Sequence, residues 1–130
     1  MAMSTKELGN YGENLAIKIL DQKNIKVIFK NWMCFAGEFD LICREKDQIV
    51  FVEVKTRFDS PFSRKLLSDS LSNKKKKKLK TLSQIFMKNY YHDKGVKLPK
   101  YRIDFVGILI SKTNMEITLT KHIKAAIADT

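Results

Sequence analysis

Two short runs, Gly37-Glu38-Phe39-Asp40 and Phe51-Val52-Glu53-Val54-Lys55, place carboxylates and an amine among apolar neighbours. Charged groups in such company are costly to desolvate unless they pair or hold a metal. Strand side chains alternate between faces, so Glu53 and Lys55 project from one side of their run, and Val52 and Val54 from the other. Asp40 lies in a run of the same kind, 39–43. If the two runs pair as a hairpin, Asp40, Glu53 and Lys55 can converge. Such a trio can bind a magnesium ion and act on a phosphodiester, because magnesium is usually held by one or two carboxylates plus substrate phosphate oxygens. A bound metal acidifies water and offsets charge on the phosphate, while a lysine orients the attacking water or stabilises the pentavalent phosphorus. The bland alternative is three solvated strand residues. Ile49, Val50, Phe51, Val52 and Val54 argue against it, since they read as a central strand buried on both faces.

Periodicity shows which elements would carry these groups. Ser4-Thr5-Lys6-Glu7 matches a capping box, with Ser at the N-cap and Glu at N3. The stripe Leu8, Tyr11, Leu15 and Ile19, with Ala16 and Leu20 beside it, predicts a helix to about residue 22. Gly9 and Gly12 each weaken that helix by about 1 kcal/mol relative to alanine, a cost that fits a close approach of backbone to another element. Strands are expected over 26–34, 38–44 and 48–56, the last two joined by the polar link Glu45-Lys46-Asp47. Residues 57–70 read as irregular, with a turn at Asp59-Ser60-Pro61. A long helix is expected over 71–91, with Leu79, Leu82, Phe86 and Tyr90 on one face, then strands over 101–111 and 115–120 and a short helix over 122–128. That order implies an α/β domain, a mixed sheet of about five strands flanked by helices, whose long helix crosses over between parallel neighbours. No repeat or linker divides the chain, so a single domain over 1–130 is expected.

Other residues divide between site and scaffold. Glu13 lies beside Gly12 on the first helix, and spacing alone leaves it equally a solvated glutamate or a fourth acid of the site. Glu38 shares a face with Asp40 and reads as a surface acid. Residues 74–78 are five consecutive lysines near the start of the long helix. Helical spacing spreads them around the axis, so only some can reach one ligand. Lys74, Lys75 and Lys78, with Arg57 at the mouth of the site, are candidates for contact with backbone phosphates, which would position a nucleic acid without reading its sequence. Arg102 and Asp104 alternate on one strand and read as a structural ion pair. His122 reads as a capping or packing residue, and Trp32 as core.

Composition narrows the partners. The 130 residues carry a formal net charge of +11, which favours a polyanion, nucleic acid first. A hydrophobic content of 44% fits a folded chain. There is no secretory leader, basic amphipathic anchor or run near the ~20 apolar residues of a membrane span, so a cytoplasmic protein is expected, with no membrane partner. Cys34 and Cys43 have neither CxxC spacing nor nearby histidines and read as reduced thiols.

The pattern Gly9-x-x-Gly12-Glu13-x-x-Ala16, Asn31, Gly37-Glu38-Phe39-Asp40-Leu41, Phe51-Val52-Glu53-Val54-Lys55-Thr56-Arg57, Arg102-x-Asp104 and His122-Ile123 resembles the YraN-type family of small bacterial proteins. That family is similar to the PD-(D/E)XK nuclease superfamily, and especially to archaeal Holliday-junction resolvases. The resemblance implies a restriction-endonuclease-like fold. It also implies a site in which Asp40, Glu53 and Lys55 take the motif positions and Glu13 adds an acid from the first helix. Family members carry a lysine about two turns into the helix after the motif; here its register is open between Lys74 and Lys75. Residues 58–72 match poorly, so loop-borne substrate selection does not carry over. The expected function is a Mg2+- or Mn2+-dependent endonuclease acting on branched or structured DNA, with RNA open as a substrate. Asp40 and Glu53 would hold the metal. Resolvase-like enzymes cut two strands symmetrically, which makes a homodimer an expectation without a legible interface. The alternative is a nucleic-acid-binding module with a nuclease-like fold and no turnover.

Overall fold

The computed structural model describes residues 3–68, 71–91 and 97–127. Helix α1 (Thr5–Gln22) opens with the expected capping box, in which Ser4 Oγ accepts from the Glu7 amide and Glu7 accepts from the Ser4 amide. Then come β1 (Lys26–Cys34), β2 (Gly37–Glu45), β3 (Gln48–Phe58), α2 (Pro61–Ser68), α3 (Asn73–Tyr91), β4 (Tyr101–Ile110) and β5 (Ile117–Ile123). The sheet follows chain order. It is antiparallel at β1–β2, β2–β3 and β4–β5, and parallel at β3–β4, where α2 and α3 form the crossover. This is the expected α/β architecture, consistent with a restriction-endonuclease-like fold.

Each face of the sheet has its own core. On the α1 side, Leu41, Val50, Val52, Val106 and Ile108 pack under Ala16 and Leu20. On the α3 side, Phe51 and Ile103 pack under Leu79, Leu82 and Phe86, with the Phe51 and Phe86 rings edge to face at 5.4 Å. Strand β3 is buried on both faces from Ile49 through Val52, as its unbroken apolar run requires.

Two segments depart from expectation. Residues 57–68 are not irregular: β3 continues to Phe58, and α2 follows; the rest of that expected irregular stretch, 69–70, lies outside the described residues. The reason is local, because Ser60 Oγ accepts from the Ser63 amide as an N-cap would, and Pro61 opens the helix where its missing N–H costs nothing. Leu67 then packs against Gly107, where a Cβ would lie 2.9 Å from it. At the other end no helix forms over the described part of 122–128. Strand β5 runs through Ile123, and the Ala125 and Ala126 amides donate to Asp104 and to the Ile103 carbonyl at 2.8 Å each. These tertiary bonds replace the i→i−4 bonds a helix would need.

The two helix glycines differ. A Cβ on Gly12 would stand 1.7 Å from Thr56 Oγ1, so α1 lies directly on β3 there. Gly9 meets nothing within 4 Å. Gly12→Ala should therefore lower the unfolding free energy by roughly 1–3 kcal/mol through overpacking. Gly9→Ala should raise it by roughly 0.5–1 kcal/mol through helix propensity. Urea titrations of the two variants against the parent check the opposite signs.

Candidate active site

The β2–β3 ladder runs from Glu45↔Gln48 to Leu41↔Val52 and ends there. Beyond it, Asp40 Oδ2 accepts from the Val54 amide at 2.8 Å, so a carboxylate takes a β3 donor that would otherwise be open. Glu53, two residues after Phe51 on the same face, lies close enough to Asp40 for the two acids to act on each other. Burial, then the hydrogen bond and charge of Glu53, push Asp40 up to about 8, against the opposing pull of the Val54 amide.

Lys75, at the start of α3, closes the group. Its Nζ lies 2.8 Å from Glu53 Oε2, with side-chain exposures of 37% and 10% for lysine and glutamate. Ser72 sets that register, for its Oγ accepts from the Lys75 amide at 3.2 Å. Glu38, Asp40, Glu53, Lys75 and Lys78 line a cleft of about 240 Å3 floored by Leu79 and Leu82. Lys55 is half-buried on the same face of β3. Burial lowers its pKa most, Arg57 and Lys75 lower it further, and Glu53 and Asp40 oppose them. Asp40, Glu53 and Lys55 are thus brought together as expected. Lys75 and Lys78 join them, while Lys74 is exposed and lines no part of the cleft. Arg57 continues the row of Glu53 and Lys55, and its Nη1 lies 3.4 Å from the Thr56 carbonyl.

Glu13 reaches the group from α1. Its carboxyl is raised by burial first; Glu38 and Glu53 add to the shift, and Lys30 and Asn31 oppose it. Glu13 Oε1 is buried with no hydrogen-bond partner. The neighbouring Asn14 accepts from Lys30 Nζ at 3.1 Å, which ties this part of α1 to β1. Glu38, expected as a surface acid with a supporting place beside the site as the alternative, lines the cleft. Lys30 and Asn31 act on Glu13 from β1, and Asn31 holds φ +54°, a conformation asparagine tolerates better than most residues.

The donor set fits a hard divalent cation. Asp40 and Glu53 offer two adjoining carboxyl groups and Glu13 a buried oxygen without a hydrogen-bond partner, while the Lys75 ammonium on Glu53 would compete with an ion for that acid. Among the described residues no group of three or more His, Cys, Asp or Glu side chains is placed so that it could hold a metal ion by itself. Magnesium does not require one, since it keeps several waters and takes substrate phosphate as a ligand.

A second polar group lies across the sheet. Asp104, fully buried, accepts from Arg102 Nε at 3.0 Å and from the Ala125 amide at 2.8 Å. Its other oxygen meets His122 Nε2 at 2.8 Å, while Lys23 Nζ sits 2.9 Å from His122 Nδ1. The lysine donates to Nδ1, which leaves the imidazole proton on Nε2 facing the carboxylate. Burial would push Asp104 up, but His122, Arg102 and Ala125 together hold it below the usual value. Arg102 also donates to Glu45 at 2.7 Å and Gln48 at 2.9 Å. The expected Arg102–Asp104 ion pair is therefore present, and His122 packs from β5 rather than from a helix. Cys34 and Cys43 are free, and burial pushes the Cys43 thiol up to about 12.

The Asp40 shift fixes a pH dependence. With a folded pKa near 8 against an unfolded value near 3.8, the folded state binds more protons between these limits. The stability contribution is full below about pH 4 and is lost as pH rises toward 8. Asp40→Asn keeps an acceptor for Val54 and a donor for Glu53. It should flatten this slope and exceed the parent in stability at pH 8 by roughly 1–3 kcal/mol. Urea midpoints from pH 5 to pH 8.5 in EDTA would show it; a parent and variant with parallel pH profiles would contradict it.

Comparison with known proteins bears on kinship. The model of Uncharacterised protein family UPF0102 matches residues 12–108, from Gly12 through the fourth strand. A UPF0102 protein of Caldicellulosiruptor bescii is 38% identical over 127 residues, covering 95% of this chain and 99% of that protein. One from Streptomyces griseus is 35% identical over 111 residues, covering 85% and 89%. One from Roseiflexus castenholzii is 32% identical over 122 residues, covering 94% of each. With the family model matched over residues 12–108 and relatives above 30% identity covering most of both chains, the chain belongs to UPF0102, the YraN-type family that its sequence resembles.

Proposed function

We propose that the chain is a metal-dependent endonuclease that hydrolyses phosphodiester bonds in DNA. One observation carries the reading: Asp40 and Glu53 adjoin in a cleft whose other polar walls are Glu38 and the lysines Lys75 and Lys78. Two adjoining carboxylates destabilise an apo fold. They gain a purpose if a divalent ion and a phosphate meet there.

Asp40 and Glu53 would hold the ion, and Glu13 would orient a water through its open oxygen. When bound, magnesium or manganese supplies a Lewis acid and water of lowered pKa. Lys55 aims its ammonium at the phosphoryl oxygens as charge builds on them, and its partial burial makes that interaction stronger than in open water. Arg57 and Lys78 hold the flanking phosphates. The lysines of 74–78 occupy the first turns of α3, where the helix dipole disfavours cations. They do not serve helix stability, and a polyanion at that end would offset both charges.

A second reading has its own support. Lys75 already satisfies Glu53 without a metal, as it would in a nucleic-acid-binding module that never turns over. A panel of linear, nicked, flapped and four-way DNA separates the two. The enzyme should cut at least one member with Mg2+ or Mn2+ and none in EDTA. Asp40→Asn and Lys55→Ala should each reduce the rate by at least about a hundredfold with DNA binding retained. Binding across the panel with no cutting would establish the module instead. Isothermal titration with Mn2+ tests the resident ammonium. Lys75→Met removes a competing ion pair worth up to ~1 kcal/mol and should tighten Mn2+ binding by as much as about fivefold.

A further inference from the structure

The most exposed aromatic side chain of the described residues stands at the hairpin apex from which β2 leads into this cleft. Strands β1 and β2 pair up to Cys34↔Gly37, so Phe35 and Ala36 alone form the hairpin apex. Phe35 is 94% exposed and Met33, on the same hairpin, 70%. The apex is rigid in construction. The Ala36 amide donates to Cys34 Sγ at 3.4 Å, and Trp32 is fixed edge to face against Phe86 at 5.3 Å. It also adjoins the lysine helix, since a Cβ on Gly37 would lie 2.8 Å from Lys78 Cε. From there β2 leads through Glu38 to Asp40 inside the cleft.

An aromatic ring held fully in water does nothing for the fold. Single exposed apolar residues are common, but this one ends a tight hairpin, beside lysines, on a chain of net charge +11. Cationic side chains with an aromatic platform between them are what unstacked nucleic acid requires: phosphates meet the lysines and a base meets the ring. An apolar protein partner would gain nothing from the lysines. At about 3.3 Å per strand residue, the start of β2 at Gly37, next to the apex, stands roughly 10 Å from Asp40. That is about three nucleotides of stacked strand at roughly 3.4 Å each.

We propose that Phe35, supported by Met33, is a base-stacking element that selects DNA with unpaired bases a few nucleotides from the cut site. The proposal rests on the nuclease reading for its cut site and on the lysine-lined cleft for its substrate class. A paired duplex buries its base faces and offers nothing to the ring; a fork, flap or junction offers a free one.

The test is binding in EDTA by the full chain, so turnover plays no part. The probes are a linear duplex, a single strand and a forked duplex of equal length, with 2-aminopurine at the unpaired positions. Phe35→Ala should weaken binding to the forked and single-stranded probes about tenfold and to the duplex by less than twofold. Its thermal midpoint should match the parent's. Phe35→Trp should restore affinity, and its indole emission should be quenched by the forked probe. Equal losses on all three probes, or unchanged affinity for the forked probe, would overturn the proposal, the latter leaving the apex to a protein contact. Normal discrimination by the parent without cleavage in Mg2+ would overturn the nuclease reading and leave the stacking role standing. A parent that binds none of the probes overturns both.

Discussion

Two carboxyl groups cannot share a narrow cleft in ionised form without a counter-charge, and the architecture around the cleft follows from that. Asp40 and Glu53 are brought together because β2 and β3 part after Leu41↔Val52. The strands no longer exchange backbone bonds there, and a side chain takes the freed amide. The repulsion is relieved in two ways: Asp40 holds its proton to a raised pH, and Lys75 pairs with Glu53 Oε2. Both devices are removable. The proton leaves as pH rises, and a partly exposed ammonium on a flexible stem can swing away. The site is thus balanced by a proton and a side-chain ammonium rather than by the backbone of the fold beneath them.

That fold supplies the rigidity the acids lack. Phe51, one turn of the pleat below Glu53, is packed between Phe39 and Phe86. Gly12 lets α1 settle on Thr56, which brings Glu13 within reach of Glu53; a residue with any side chain at position 12 would lift the helix away. On the opposite face Asp104 ties β4 to β5 and Arg102 ties β4 to the β2–β3 turn. The two polar groups differ in character. Asp104 is saturated by donors and lowered, as a structural carboxylate should be, whereas Asp40 is raised and short of donors.

Much of this was legible in the chain. The unbroken apolar run of β3 identified a doubly buried strand, and period two placed Glu53 and Lys55 on one face. The capping box gave the first residue of α1. What escaped notice depended on tertiary contacts. Ser60-Pro61 reads equally as a turn and as a helix start, and only the seat offered to Leu67 by Gly107 decides between them. The segment after His122 has helical composition, but its amides find better acceptors on β4. Among five identical lysines no local signal can single out one. Lys75 is selected by the Ser72 cap and by the distance to Glu53, and neither is a property of the run itself.

The resident ammonium has a consequence for how such a chain matures. Small zinc domains stay unfolded until their ion arrives, because nothing else offsets the charge of their ligands. Here Lys75 already meets the charge of Glu53 with a side chain of the same chain, so the described fold needs no inorganic ion to balance that acid.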